Sequence, residues 1–334
     1  VLDPAVTKLG FITPLRIILL RTMGDTFIGA GGWAYFNVPR LSPLKAYSQA
    51  FNYVEVNSTF YEIPPLREAE GWRRSVPDAF HFTVRAHRSM THGQPFEDSE
   101  LAHDVFNKML EVCRVLRAEV LHFQLPPSIA PDEALAESIS SFLDSTDVGN
   151  LLLAMEFRGM SPSCASPPLL RLMQDRGIIH SVDLLKGQVP ACSADTLYTR
   201  LFGKGYHNLY QPTDDELKPM DDFASGFSRA YLTFHGARMY SDAARMKTYR
   251  KTGKFPAITK GVGLDSLKEV MSEDAVFPAT TPELLHDQGW KLFDSNGNKR
   301  IRVGEVLSHL PEMTYESLED VLEDIRVRGD SHEW

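Results

Sequence analysis

The chain has 334 residues, 43% of them hydrophobic and 24% charged, with a formal net charge of −9. That composition excludes a disordered or fibrous chain, and the acidic balance excludes broad nonspecific attraction to nucleic acid or anionic membranes while leaving room for a local basic cleft. Cys113, Cys164 and Cys192 have no metal-ligand spacing, and their odd number is a poor disulfide framework, so a reducing, cytoplasmic setting is expected.

Residues 1–25 read as an N-terminal extension. Their apolar run "GFITPLRIILL" contains Arg16 and falls short of the roughly 20 apolar residues that a membrane span needs. Arg21 to Asp25 lead directly into a strand without a small-residue cleavage site, so a signal peptide is not expected and Met23 is the expected natural start.

From Thr26 onward, short apolar runs alternate with helical patterns. The strand candidates are "TFIGAGGWAYF", "YVEVNSTFY", "FHFTVRAH", "EVLHFQLPP", "LLLAMEFRG", "IIHSVDLLK", "TLYTRLFG" and "AYLTFHG". Between them lie amphipathic segments such as "ELAHDVFNKMLEVCRVL", with Leu101, Val105, Met109, Val112 and Leu116 at helical spacing. Eight βα units over residues 26–253 predict a (β/α)8 barrel, although an open doubly wound sheet gives the same local signals. The rhythm breaks at "KTGKFPAITKG", so residues 254–334 are expected to form a small α-rich appendage.

In a barrel the reacting groups sit at the C-terminal ends of the strands. The first strand delivers Trp33 and Tyr35, and the second Glu55, Asn57, Thr59 and Tyr61. Arg85 and His92 follow from the third, Gln124 from the fourth, Glu156 and Arg158 from the fifth, Asp183 from the sixth, Arg200 from the seventh and His235 from the eighth. Glu55, Asn57 and Thr59 are two apart, which makes one face of their strand polar. Such a face is tolerated near a barrel mouth because water or a ligand satisfies it, whereas unpaired burial costs roughly 1–3 kcal/mol per group. The competing reading is that Glu55 pairs with Arg85 or Arg158 merely to close the barrel.

The blocks "GAGGWAY", "VEVNSTFYEIP", "FHFTVRAHRSMTH", "FQLPPS", "MEFR" and "SVDLL" resemble, in order and spacing, those of the DUF72 or YecE-like family. The resemblance covers residues 26 to about 250 and implies a TIM-like barrel, but no defined reaction. Two departures matter. Arg85 stands where the family pattern usually has lysine, and a guanidinium, charged at any working pH, cannot act as an amine base. In "YTRLFG", Phe202 replaces a usual histidine, so His235 need not occupy that histidine's position.

Glu55, Glu156, Asp183 and His92 are the candidate catalytic groups, either holding a divalent metal or acting as general acid and base without one. Arg85, Arg158 and Arg200 form a candidate clamp for phosphate or carboxylate, with Asn57, Thr59 and Gln124 as polar contacts and Trp33, Tyr35 and Tyr61 as stacking surfaces. The expectation is a hydrolase for a phosphorylated or nucleotide-like substrate. The alternative is a noncatalytic small-anion-binding protein or sensor whose appendage recruits a protein partner.

"DSNGNKRIRVGE", Asp294 to Glu305, imitates a calcium loop, but Lys299 stands where that loop needs glycine, and "WKLFD" and "KRIRV" alternate around Asn296 and Gly297. A hairpin is expected there rather than calcium. The surrounding helical segments resemble DUF2795-like modules. "GAGGW" lacks the third glycine of a dinucleotide loop and is read as a tight barrel turn.

Overall fold

The computed structural model describes residues 24–159 and 164–329. The expected extension and the start at Met23 lie outside the described residues, apart from Gly24 and Asp25. Eight parallel strands form one sheet: β1 (Asp25–Ala30), β2 (Tyr53–Val56), β3 (His81–Arg85), β4 (Val120–Leu125), β5 (Leu152–Phe157), β6 (Ile179–His180), β7 (Thr196–Leu201) and β8 (Arg229–Phe234). Each pairs with its sequence neighbour, and β1 pairs with β8. A Val182–Thr199 bridge, with Arg200 N donating to Val182 O at 3.1 Å, joins β6 to β7 and closes the barrel.

Helices α1 (Pro43–Ala50), α2 (Leu66–Arg74), α3 (Glu100–Leu116), α4 (Glu133–Asp144), α5 (Pro167–Asp175), α6 (Asp214–Ala224) and α7 (Met239–Thr252) surround it. Ser99, Asp132 and Ser166 start α3, α4 and α5 by accepting hydrogen bonds from backbone N–H groups three residues on. The sixth unit departs from the expected βα pattern. β6 is followed only by a 3-10 turn, Leu184–Lys186, because the remaining stretch to β7, with Gly187 and Pro190 in it, is too short for a helix and its connections.

The period of two along the strands sorts side chains between two cores. Outward-facing Val54, Val56, Phe82, Val84, Leu121, Phe123, Leu153 and Met155 pack in the large cluster shared with the helices. Inward-facing Phe27, Tyr53, Val120, Ala154, Ile179, Tyr198 and Tyr231 fill the lower barrel. Two residues further along, the same inward faces carry Glu55, His122, Glu156 and Arg200. This accounts for the polar face of "VEV": it is the lining of a closed barrel.

The second strand is shorter than its sequence implies. β2 ends at Val56, and Ser58–Phe60 form a 3-10 turn, so Asn57 and Thr59 do not continue the strand's alternation. Thr59 turns back, and its hydroxyl donates to Val56 O at 2.9 Å and Arg85 O at 2.6 Å.

After α7 come α8 (Leu264–Met271), α9 (Thr281–Gln288), α10 (Val303–Leu307), α11 (Leu318–Gly329), the pair β9 (Ala279–Thr280) and β12 (Thr314–Tyr315), and the hairpin β10 (Leu292–Asn296) with β11 (Lys299–Arg302). Leu267, Met271, Phe293, Val303, Leu307 and Val321 form a second apolar cluster. The hairpin expected at Asn296–Gly297 is present. The Asp294 carboxylate accepts from Ile258 N and Thr259 N, both at 2.8 Å. The segment meets the barrel beside its mouth: Arg300 Nε donates to Asp214 at 2.6 Å, Arg302 Nη2 to Glu216 at 3.0 Å and Leu292 N to Gln211 Oε1 at 2.8 Å.

Candidate functional site

The centre of the mouth is Arg200, whose side chain is 1% exposed. Its Nε lies 3.0 Å from Glu55 Oε2, its Nη2 3.1 Å from Glu55 Oε1, and its Nη1 2.9 Å from Glu156 Oε2 and 2.6 Å from Gln124 Oε1. One guanidinium therefore joins strands β2, β4, β5 and β7. Tyr198 donates to Glu55 Oε2 at 2.7 Å from below, and His235 Nε2 stands 3.3 Å from Glu55 Oε1. Arg158 Nε donates to Glu156 Oε1 at 3.0 Å.

These contacts set the charges. Burial would raise the Glu55 carboxyl, but Arg200, and then His235, outweigh it and hold the group well below the usual carboxylate range. Glu156 is opposed by burial in the same way, yet Arg200, His122 and Arg158 bring it down to about 2. Burial and Arg200 lower His122 to about 3 and His235 to about 4. Both rings are neutral at pH 7, so the 3.5 Å approach of His122 Nε2 to Glu156 is not an ion pair there.

Arg85 differs from the other two arginines. It is 7% exposed, its Nη1 donates to Asn57 Oδ1 at 2.9 Å, and its Nε has no partner. Among the described residues no carboxylate lies within 4.0 Å of it, so it makes no ion pair. Its guanidinium sits 3.6 Å from the centroid of the Phe60 ring. Burial, and then repulsion from Arg200, lower it to about 10, still protonated at neutral pH. At the rim, Arg158 lies 4.3 Å and Lys186 5.9 Å from the Phe202 ring, which stacks on His235 at 4.6 Å.

The remaining expected residues are not all part of this cluster. Asp183 Oδ2 accepts from Phe202 N and Gly203 N, both at 3.0 Å, and its Oδ1 from Leu185 N at 3.1 Å, so it organises two loops and makes no contact with Glu55 or Glu156. His92 is exposed, pairs through Nδ1 with Thr91 Oγ1 at 2.9 Å, and meets the Phe60 ring at 5.3 Å. Trp33 packs edge-on against Trp72, while Tyr35 and Tyr61 are 81% and 69% exposed. Thr59 has its hydroxyl occupied by backbone carbonyls.

A divalent metal does not fit this arrangement. Among the described residues no group of three or more His, Cys, Asp and Glu side chains converges as ligands. Arg200 fills the space between Glu55 and Glu156, and the Asp183 carboxylate is taken by backbone N–H groups. The competing reading that Glu55 pairs with Arg85 or Arg158 is corrected as well, since its arginine is Arg200.

His122, Tyr198 and Phe202 contribute to the mouth without having been singled out as site residues. His122 stands two residues before Gln124, and Tyr198 two before Arg200, so stepping each strand back by its own period finds them. Gly31 explains the glycine-rich turn: a Cβ there would lie 2.0 Å from the His235 ring.

Among the described residues no helix is long and apolar enough to cross a membrane. Residues 27–255 match the family model described as "Protein of unknown function DUF72". The UPF0759 protein YunF of Bacillus subtilis (strain 168) is 31% identical over 210 residues, 56% of this chain and 73% of that protein. Two solved structures share the fold. A DUF72 family protein of Enterococcus faecalis V583 aligns at TM-score 0.56 and 15% identity, over 68% of this chain and 98% of its own. A DUF72 family protein of Thermotoga maritima MSB8 aligns at 0.55 and 20% identity, over 68% and 99%. With these blocks, this barrel and this match, the chain belongs to the DUF72 family.

Proposed function

We propose that the barrel mouth is a receptor for a small oxyanion, a carboxylate or phosphate group, which Arg85 binds with Arg158 and Lys186 at the rim. The observation that carries this reading is the missing counter-ion of Arg85. Within the mouth, Glu55, Glu156 and Asp183 offset Arg200, Arg158 and Lys186, the histidines are neutral, and one buried positive charge is left over. A buried unpaired charge costs several kcal/mol, and a bound anion removes that cost. The free Nε–H and the planar guanidinium suit an oxyanion's geometry.

Ionic saturation around Arg200 supports binding more than proton transfer. Glu55 and Glu156 are held ionised, so neither donates a proton near neutral pH, and Arg200 occupies most of their acceptor directions. Hydrolysis of a phosphorylated or nucleotide-like substrate is the second reading, and it rests on Glu156. That side chain is 14% exposed, and an ionised carboxylate at the rim suits orienting a water. In either reading the described part of the segment after α7, residues 254–329, buttresses the mouth, because Arg300 and Arg302 tether residues 211–216 after β7.

Calorimetric titration with inorganic phosphate and with acetate tests the proposal. Binding that is lost in Arg85→Met supports it, and equal binding by wild type and variant overturns it. Turnover of a phosphoester panel by wild type and Glu156→Gln tests the second reading, which fails if the two are equally active or both inert.

A further inference from the structure

Beside the ion pairs the barrel contains a group of orphaned polar atoms. His122 Nδ1 and Nε2, Ser181 Oγ and Arg85 Nε are each buried without a hydrogen-bond partner. They make up four of the seven such side-chain atoms among the described residues. His122 and Ser181 are 0% and 2% exposed.

Strand register sets Arg85 beside His122, and Glu156 stands next to both His122 and Ser181. Arg85 on β3 is the Cα partner of His122 on β4, and His122 is the partner of Ala154 on β5. Ile179 on β6 is the Cα partner of Ala154, and Ser181, two residues on with its N–H donating to Met155 O at 2.8 Å, stands level with Glu156, which approaches His122 to 3.5 Å. The His122 ring is fixed by stacking on Tyr198 at 5.3 Å, with an interplanar angle of 20°.

An unsatisfied buried polar atom is costly, and native proteins leave few of them, so four of them on adjoining strands point to a partner from outside the chain. With Arg85 Nε directed to the oxyanion, the partner at His122 and Ser181 must exchange hydrogen bonds with a neutral imidazole and a hydroxyl. A second anionic oxygen suits this poorly, because Glu156 lies 3.5 Å from His122. A neutral hydroxyl, which both donates and accepts, suits it well.

We propose that His122 and Ser181 form a hydroxyl subsite beside the oxyanion site, so that the ligand class is a small oxyanion bearing a hydroxyl on a neighbouring carbon. This rests on the anion reading above and deepens it. The anionic head meets Arg85 and the rim, and the hydroxyl is directed towards the layer of His122. Carboxylate and phosphate heads share this chemistry.

Matched pairs test it by calorimetry on the full chain at pH 7: acetate with glycolate, and ethyl phosphate with 2-hydroxyethyl phosphate. The hydroxylated member of at least one pair binds about tenfold more tightly, as expected for one added buried hydrogen bond or two. The pair that shows the preference identifies the head group. That ratio falls to about one in His122→Phe and drops severalfold in Ser181→Ala, which removes a single oxygen and keeps the test valid if the larger change impairs folding. A wild-type ratio of one in both pairs, with the plain anions bound, overturns the subsite and leaves the anion reading standing. A preference that survives unchanged in both variants also overturns the subsite. Absence of binding by all four compounds overturns the anion reading, and the subsite with it.

Discussion

Arg200 on β7 and Glu55 on β2 meet across the barrel through contacts of 3.0 and 3.1 Å, with side chains 1% and 0% exposed. Their strands are separated by β1 and β8 in the sheet, so the pair joins parts of the barrel that share no backbone ladder. Breaking a buried pair by removing one partner costs about 3–5 kcal/mol, whereas removing both costs much less than the sum. Urea unfolding of Glu55→Gln, Arg200→Met and the double variant is therefore expected to show strong coupling. Additive losses would mean that the two side chains are not a unit.

Stability is expected to fall on mild acidification. Burial, with Arg200 where it is near, lowers His122 to about 3 and His235 to about 4, and burial alone lowers His180 to about 4. The unfolded chain, with ordinary imidazoles near about 6.5, binds more protons between that pH and 4, so stability declines as pH falls through this window. The Glu156 contribution is lost lower, between its ordinary range and about 2. Urea midpoints at pH 7, 5.5 and 4.5 should decrease in that order, and a flat series contradicts the neutral burial of these rings.

Gly31→Ala is expected to destabilise the protein by about 1–3 kcal/mol through overpacking. The added Cβ meets the His235 ring at 2.0 Å, and the ring is held between Phe202 and Glu55. Thermal unfolding checks the loss, and an unchanged midpoint would mean that the ring moves freely.

Asp183→Ala should loosen the loop after β7 rather than alter the Arg200 cluster. The substitution leaves Phe202 N, Gly203 N and Leu185 N without their acceptor, at a cost of roughly 1–3 kcal/mol for each one that stays buried. Hydrogen exchange should accelerate at Phe202 and Gly203. Unchanged protection there would show that the carboxylate does not hold the loop.

The barrel was legible because alternating strand and helix patterns are local, whereas the site was legible only in part. Gln124, Glu156 and Arg200 stand out as polar residues near strand ends, and the fold brings them together. Tyr198 and His122 lie deeper on the same faces, where aromatic residues resemble ordinary core. Asp183 looked like a third carboxylate of the site because residue type does not reveal that backbone N–H groups occupy it. Thr59 misled for a different reason. The period of two holds only while the strand lasts, and in "VNSTFY" the turn formers Asn57 and Ser58 end it. The choice of Arg200 over Arg85 as partner of Glu55 depends on barrel register, which no local pattern encodes.

Arg85 is the buried cation on which the proposed anion site depends. The direct measurement is a crystal structure of the protein grown without oxyanions and then soaked in phosphate or tungstate at neutral pH. The expected result is a tetrahedral anion about 3 Å from Arg85 Nε, with the Glu55–Arg200 pair unmoved. A carboxylate side chain on Arg85, or anions found only elsewhere, would contradict it.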